Sequence, residues 1–279
     1  MAISFTKMHG LGNDFVVIDA REGGIDLAAP QIRVIADRRT GIGCDQLITL
    51  EPSERGDVFM RIHNADGGEV EACGNATRCV ALCLMKETGR DRVAVETGAG
   101  VLDTVRDGDR LTVDMGRISF AWQDIPLAHE ADTAALDLAP ELVDELGLAM
   151  AVNIGNPHAI FFVDEAEAVD LERLGPEIEH HALFPQRTNV EAAQVIDRQK
   201  IRLRVWERGV GITKACGTGA CATAAAAARL DLTGRRVTVL LDGGPLEIEW
   251  ADNDHAMMSG PVSTSFHGVI DDALLDVSS

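Results

Sequence analysis

The chain has 279 residues, 46% of them apolar, enough for one large domain or two of ordinary size with a real core. Its formal charge of −20, from 25 basic and 45 acidic residues, argues against nucleic acid and anionic membrane surfaces, which are bound through clustered Lys and Arg. The opening MAISFTKMHG lacks the apolar core of a signal peptide and the Ala-rich run ACATAAAAA is too short to span a bilayer, so a cytoplasmic location is expected.

Taken in chain order, DFVVID reads as a strand and APQIRVIADR as a helix, followed by strands at QLITLEP and VFMRIHN. The segment after EACG, containing CVALCLM, has almost no polar face, which marks a helix that must be enclosed. Strands RVAVETG, VLDTVRDG and RLTVDMG follow, separated by Gly and Asp. Beyond them come a helix at APELVDELGLA, a strand at AIFFVD, a helix at LERLGPEIEHHALF, and strands at AAQVID and IRLRVWE. A second enclosed helix is expected at CATAAAAA, then strands RRVTVLL and PLEIEWA.

This order contains a repeat. Residues 60–74, MRIHNADGGEVEACG, align without a gap on residues 203–217, LRVWERGVGITKACG, a shift of 143 residues. Arg61/Arg204, Gly68/Gly211, Ala72/Ala215, Cys73/Cys216 and Gly74/Gly217 are identical pairs. The same shift carries Gly12 and Asn13 onto Gly155 and Asn156, and Gln46 onto Asn189. One shift holding across most of each half indicates an internal duplication. The expected fold class is α+β: two pseudosymmetric domains, each a mainly antiparallel curled sheet or barrel around one central helix. The domains are drawn at residues 1–117 and 118–263, with the tail 264–279 returning to the first.

Six cysteines, Cys44, Cys73, Cys79, Cys83, Cys216 and Cys221, lack both the CxxC spacing and the His partners of a zinc site, so no metal is expected. None of the four lysines sits where a pyridoxal Schiff base is suggested. Cys44, Cys79, Cys83 and Cys221 read as small core residues. Cys73 and Cys216 differ, because each precedes a Gly at the mouth of an enclosed helix. There the unpaired backbone N–H groups and the helix dipole favour thiolate, and Gly74 and Gly217 let the backbone approach an anion. Two such units facing each other would set two thiols on opposite sides of one small molecule, the arrangement of a two-base racemase or epimerase. Lone asparagines such as Asn64 and Asn75 are often mere turn residues, and His158 fits a satisfied core histidine as well as a supporting role. Repeat equivalence raises Asn13/Asn156 and Gln46/Asn189 above that level. Glu207 and Arg208, with Glu207 opposite Asn64 in the repeat, read as ligand-facing.

The motifs HGLGNDF, DRRTGIGCDQ, RIHNADGGEVEACGNATRC, GNPHA, RTNVE and ERGVGITKACGTGACA together resemble the diaminopimelate epimerase family, nearly end to end. The resemblance implies a pyridoxal-independent epimerase that interconverts LL- and meso-diaminopimelate with no cofactor, Cys73 and Cys216 serving as the acid/base pair. It further implies substrate contacts by Asn13, Gln46, Asn64, Gly74, Asn75, Asn156, Asn189, Glu207, Arg208, Gly217 and Thr218. Trp206 stands where many relatives carry Tyr, and Ile212 replaces a residue that is often polar there. The partner implied is the small-molecule substrate; whether the chain forms a homodimer is left open. Proline and hydroxyproline racemases share the fold and remain the alternative, a dithiol redox protein is a reading of another class, and a binding module without turnover is a third.

Overall fold

The computed structural model describes residues 3–71, 73–108 and 110–276. In the first segment, apolar residues at alternate positions turn one face of β1 (Ile3–Gly10) inward, and the chain reverses at Leu11 and Gly12, both at positive φ, into antiparallel β2 (Asn13–Asp19). The chain then passes through α1 (Ala29–Ala36) to β3 (Gln46–Glu51), which runs parallel to β2. β4 (Val58–Asn64) pairs antiparallel with β3 and with the short β5 (Glu69–Val70). After α2 (Gly74–Thr88), β6 (Arg92–Thr97) lies parallel to β4, and β7 (Gly100–Asp107) and β8 (Arg110–Arg117) extend the sheet antiparallel.

The second series opens with α3 (Pro140–Leu146) and the antiparallel pair β9 (Met150–Asn153) and β10 (Pro157–Phe162). α4 (Leu171–Glu179) leads to β11 (Asn189–Asp197), parallel to β10, and then to antiparallel β12 (Lys200–Glu207) and β13 (Gly211–Thr213). α5 (Gly217–Arg229) returns the chain to β14 (Arg236–Leu241), parallel to β12, with β15 (Gly244–Trp250) and β16 (His255–Gly260) antiparallel beyond it. The last strand, β17 (Ser263–Ile270), pairs antiparallel with β1, and α6 (Asp272–Leu275) follows. The chain thus divides into two units, Met1–Val113 with Gly260–Ser279, and Asp114–Ser259.

Strand register carries the duplication into three dimensions. Phe15 pairs with Gln46, Leu47 with His63 and Ile62 with Val70. The pairs His158 with Asn189, Val190 with Trp206 and Val205 with Thr213 repeat them 143 residues later. Each unit has the expected mainly antiparallel sheet on a buried helix, with parallel joins on either side of that helix. In the first, Ala76, Cys79, Val80, Ala81, Leu84 and Met85 of α2 pack among Phe15, Ile48, Met60, Ile62 and Val95. Enclosing a side chain such as Leu84 stabilises the fold by about 2 kcal/mol. In the second, α5 is buried from Gly219 through Ala227, and its alanines keep the helix narrow enough for the surrounding strands to close on it. α2 stops at Gly89, whose φ of 71° is a conformation that favours glycine.

Three expected helices are shorter than drawn, and that at APELVDELGLA covers only Pro140–Leu146, ending where the Gly147 N–H reaches the Val143 carbonyl. The APQIRVIADR helix ends at Ala36 because the Asp37 carboxylate accepts the N–H groups of Arg39 and Thr40 and turns the chain. The LERLGPEIEHHALF helix ends at Glu179, where the His180 N–H reaches back to the Pro176 carbonyl and a new turn begins at His181. Strands β1, β9, β16 and β17 and the short β5 and β13 were not expected. β1 carries Lys7, a residue that reads as surface, yet Lys7 is 7% exposed and its ammonium meets Asp14 at 2.6 Å. Among the described residues no helix is long and apolar enough to cross a membrane.

Candidate functional site

The sequence-predicted residues fall at strand ends around the N-termini of α2 and α5, as two half-sites. In the first unit, Asn13 opens β2, Gln46 opens β3, Asn64 closes β4, and Cys73 is the N-cap residue of α2 with Gly74 and Asn75 in the first turn. Cys73 is partly buried, and its Sγ lies 3.8 Å from Asn13 Oδ1. Asn75 Nδ2 donates to the same oxygen at 3.4 Å, and Arg78 Nη2 donates to Asn75 Oδ1 at 2.6 Å. Gln46 Nε2 donates to Asn64 Oδ1 at 2.9 Å, the contact that their shared register dictates, while Gln46 Oε1 is buried with no hydrogen-bond partner among the described residues.

In the second unit, Cys216 is the N-cap residue of α5, with Gly217 and Thr218 in its first turn. Its Sγ accepts the Gly219 N–H at 3.4 Å and lies 3.5 Å from Thr218 Oγ1. Asn156 Nδ2 donates to Thr218 Oγ1 at 3.3 Å, and Asn156 Oδ1 meets His158 Nε2 at 3.0 Å. The other imidazole nitrogen of His158 lies 2.6 Å from Glu191 Oε1, and both of these side chains are fully buried. Asn189 Nδ2 holds the Pro157 carbonyl at 2.9 Å while its Oδ1 accepts the Arg208 N–H at 2.9 Å, which fixes the loop after β12. That loop is pinned again by buried Glu179, which accepts the Gly209 N–H at 2.9 Å and Trp206 Nε1 at 2.7 Å. Glu207 accepts the Thr213 hydroxyl, and the Arg208 guanidinium donates to the Gln186 carbonyl at 3.0 Å.

Burial pushes the Glu207 carboxyl up, against the Thr213 hydrogen bond and the His158 charge, and burial does the same to Glu191 against His158. The same environment corrects the expectation of two activated thiolates. Cys216 is 4% exposed, and burial, then the charges of Glu207 and Glu191, push it well above its ordinary value. The Thr218 and Gly219 contacts act in the opposite direction and do not overcome this. Burial outweighs the Gly219 N–H contact here.

The half-sites are equivalent in backbone and different in ionisable groups. His158, Glu191 and Gly219 occupy the positions held in the first unit by Phe15, Ile48 and Ala76, all three buried apolar residues. A Cβ at Gly219 would stand 2.9 Å from Glu191 Oε1 and 3.3 Å from Cys216 Sγ, so the carboxylate requires the glycine. Glu191, Asp45, Arg78 and Thr213 were absent from the sequence-derived set. The signal for Glu191 is an acid inside the apolar start of NVEAAQVID, and for Arg78 an arginine in a helix otherwise without a polar face. Among the described residues no group of three or more His, Cys, Asp or Glu side chains could hold a metal ion.

Comparison with known proteins agrees with the motifs. The diaminopimelate epimerase family profile matches residues 5–121 and 150–265. A diaminopimelate epimerase of Rhodospirillum centenum is 54% identical over 278 residues, covering 99% of this chain and 94% of that protein. That of Erythrobacter litoralis is 54% identical over 272 residues, covering 97% and 98%. Among solved structures, a phenazine biosynthesis protein of the PhzF family from Enterococcus faecalis superposes with a TM-score of 0.72 at 14% identity, covering 97% of this chain and 100% of that one. A hydroxyproline epimerase from Agrobacterium vitis, with bound trans-4-hydroxy-L-proline, gives 0.65 at 16% identity, with 96% and 92% covered. These two share the fold. On the family profile, the identity and the coverage together, this chain belongs to the diaminopimelate epimerase family.

Proposed function

We propose that this chain epimerises LL-diaminopimelate to meso-diaminopimelate, a step of lysine and peptidoglycan precursor synthesis, with Cys73 and Cys216 as its two proton carriers. The observation that carries the reading is the duplication itself: each unit has a cysteine at the N-cap of an enclosed helix, Cys73 at α2 and Cys216 at α5. In the forward step one thiolate takes the Cα proton and becomes a thiol, and the other thiol gives its proton to the opposite face of Cα and becomes a thiolate. The reverse reaction starts from that product state, so no cofactor is consumed or required. Charge that develops on the α-carboxylate side is met by N–H groups at the starts of α2 and α5. Asn64, Asn189, Glu207 and Arg208 suit a substrate with a second ammonium and carboxylate, which proline lacks. As an enzyme of amino-acid biosynthesis, the chain is placed in the cytoplasm.

The test is incubation with LL-diaminopimelate in deuterated water without added cofactor, followed by chiral analysis. Meso product with deuterium at Cα is expected from the wild type, and none from Cys73→Ala or Cys216→Ala, because each face of Cα needs its own carrier. Near-normal turnover by either single variant would defeat the two-base assignment.

A further inference from the structure

The geometry points to Asp45, held by Arg38, as a positioning residue that decides which end of the Asn13 carboxamide faces Cys73. A carboxamide is nearly symmetric in shape but opposite in polarity at its two ends, so only its partners fix its orientation. Asp45 Oδ2 lies 3.1 Å from Asn13 Nδ2, and a carboxylate can only accept, so the amino end of Asn13 is drawn toward Asp45. Arg38 Nη2 binds Asp45 Oδ1 at 2.7 Å and Asp14 Oδ1 at 2.6 Å, while the Asp14 N–H donates to Asp45 Oδ2 at 3.0 Å. Asp14 is in turn gripped by Lys7 at 2.6 Å. Asp45 is thereby held from two sides.

The far end of the chain of contacts enforces the same polarity. Arg78 is fully buried and can only donate, so it fixes Asn75 Oδ1 toward itself at 2.6 Å and turns Asn75 Nδ2 toward Asn13. Two arginines therefore bracket two carboxamides, and the sense of each link is set from both ends. The outcome is that Asn13 presents its carbonyl oxygen to the Cys73 sulfur, a contact in which the S–H donates. Reversal of Asn13 would set carbonyl oxygen against carboxylate at one end and amino group against amino group at the other. The equivalent Asn156 is oriented differently: position 188 is threonine where Asp45 stands, and Asn156 Oδ1 turns to His158 Nε2. The acidic clamp belongs to one half-site alone.

This role rests on the reading of Cys73 and Asn13 as active-site residues, and the test separates the two. The side-chain amide resonance of Asn13 in the 15N-labelled full chain, identified by its loss in Asn13→Ser, reports the orientation whether or not the chain turns over diaminopimelate. In the wild type it should carry the downfield displacement of an amide bonded to a carboxylate, and it should lose this in Asp45→Ala. In the same variant kcat/KM should fall roughly 10-fold, the lower range for loss of an orienting partner behind a reactive group. Asp45→Glu keeps an acceptor-only group and should stay close to the wild type. Asp45→Asn keeps one acceptor oxygen, which the Asp14 N–H and Asn13 Nδ2 both draw toward themselves, but sets its amino group against Arg38, so it should fall less than Asp45→Ala. An Asp45→Ala variant with wild-type kcat/KM and an unmoved Asn13 resonance overturns the role. The side chain of Asp45 is 43% exposed, so these changes leave the core untouched.

Discussion

The apolar residues that replace the His158–Glu191 pair in the first unit define a stability experiment. Glu191→Ile removes the carboxylate from a pair whose members are both fully buried, leaving His158 Nδ1 without its 2.6 Å partner. His158→Phe instead leaves Glu191 alone in the core. Breaking a buried pair from one side costs about 3–5 kcal/mol, whereas replacing both partners by well-packed apolar residues is near neutral or stabilising. For a chain of this size the single changes should lower Tm by roughly 6–20 °C, since each kcal/mol shifts it by about 2–4 °C. The double variant His158→Phe/Glu191→Ile, a copy of Phe15 and Ile48, should recover most of that loss while staying inactive, because Asn156 loses the His158 contact that orients it toward Thr218 beside Cys216. Gly219→Ala adds a third arm. Alone it forces a Cβ to 2.9 Å from Glu191 Oε1 and should cost about 1–3 kcal/mol; in the double variant the oxygen is gone and alanine should gain about 1 kcal/mol of helix propensity, as Ala76 does. Thermal unfolding of the three singles, the double and the triple, read as a mutant cycle, decides the matter. A double variant as unstable as the sum of its singles, or a Gly219→Ala change tolerated equally in both backgrounds, would refute the reasoning.

Three further outcomes are expected. Arg208→Ala should raise KM for diaminopimelate sharply and much less for an analogue without the distal carboxylate; equal losses would place Arg208 away from that group. Burial acts to raise the Asp14 carboxyl, but hydrogen bonds from Arg38 and Lys7 outweigh it and hold the group well below the usual carboxylate range. Its contribution to stability is therefore present above the unfolded value of about 3.9 and is lost as pH falls below it, so Asp14→Asn should be less stable at neutral pH and show a flatter acid limb in urea titrations. Iodoacetamide at neutral pH should label Cys73 before Cys216, because Cys216 is nearly enclosed and its thiol is pushed up; peptide mapping that finds the reverse order would contradict the electrostatics of the second half-site.

Much of the architecture was legible because duplication leaves a signal that needs no coordinates. A single shift of 143 residues predicted paired units, and the apolar-all-round helices after Cys73 and Cys216 predicted what each sheet encloses. Strand β17 was hidden because its mostly exposed residues carry no apolar pattern, and β1 because Lys7 breaks its alternation: Lys7 becomes an interior residue only when Asp14 on the neighbouring strand neutralises it. The carboxamides and thiols of the half-sites could be named from repeat equivalence, yet their surroundings could not. Sequence determined which side chains are duplicated, since an ungapped repeat is a property of order alone. Tertiary structure decided how the duplicates differ. Register sets Glu191 and His158 where Ile48 and Phe15 stand, and burial, with the charges of Glu207 and Glu191, then pushes the Cys216 thiol up despite the Gly219 N–H and Thr218 contacts. Desolvation depends on how completely a group is enclosed, and enclosure is fixed only when strands distant in sequence close around it.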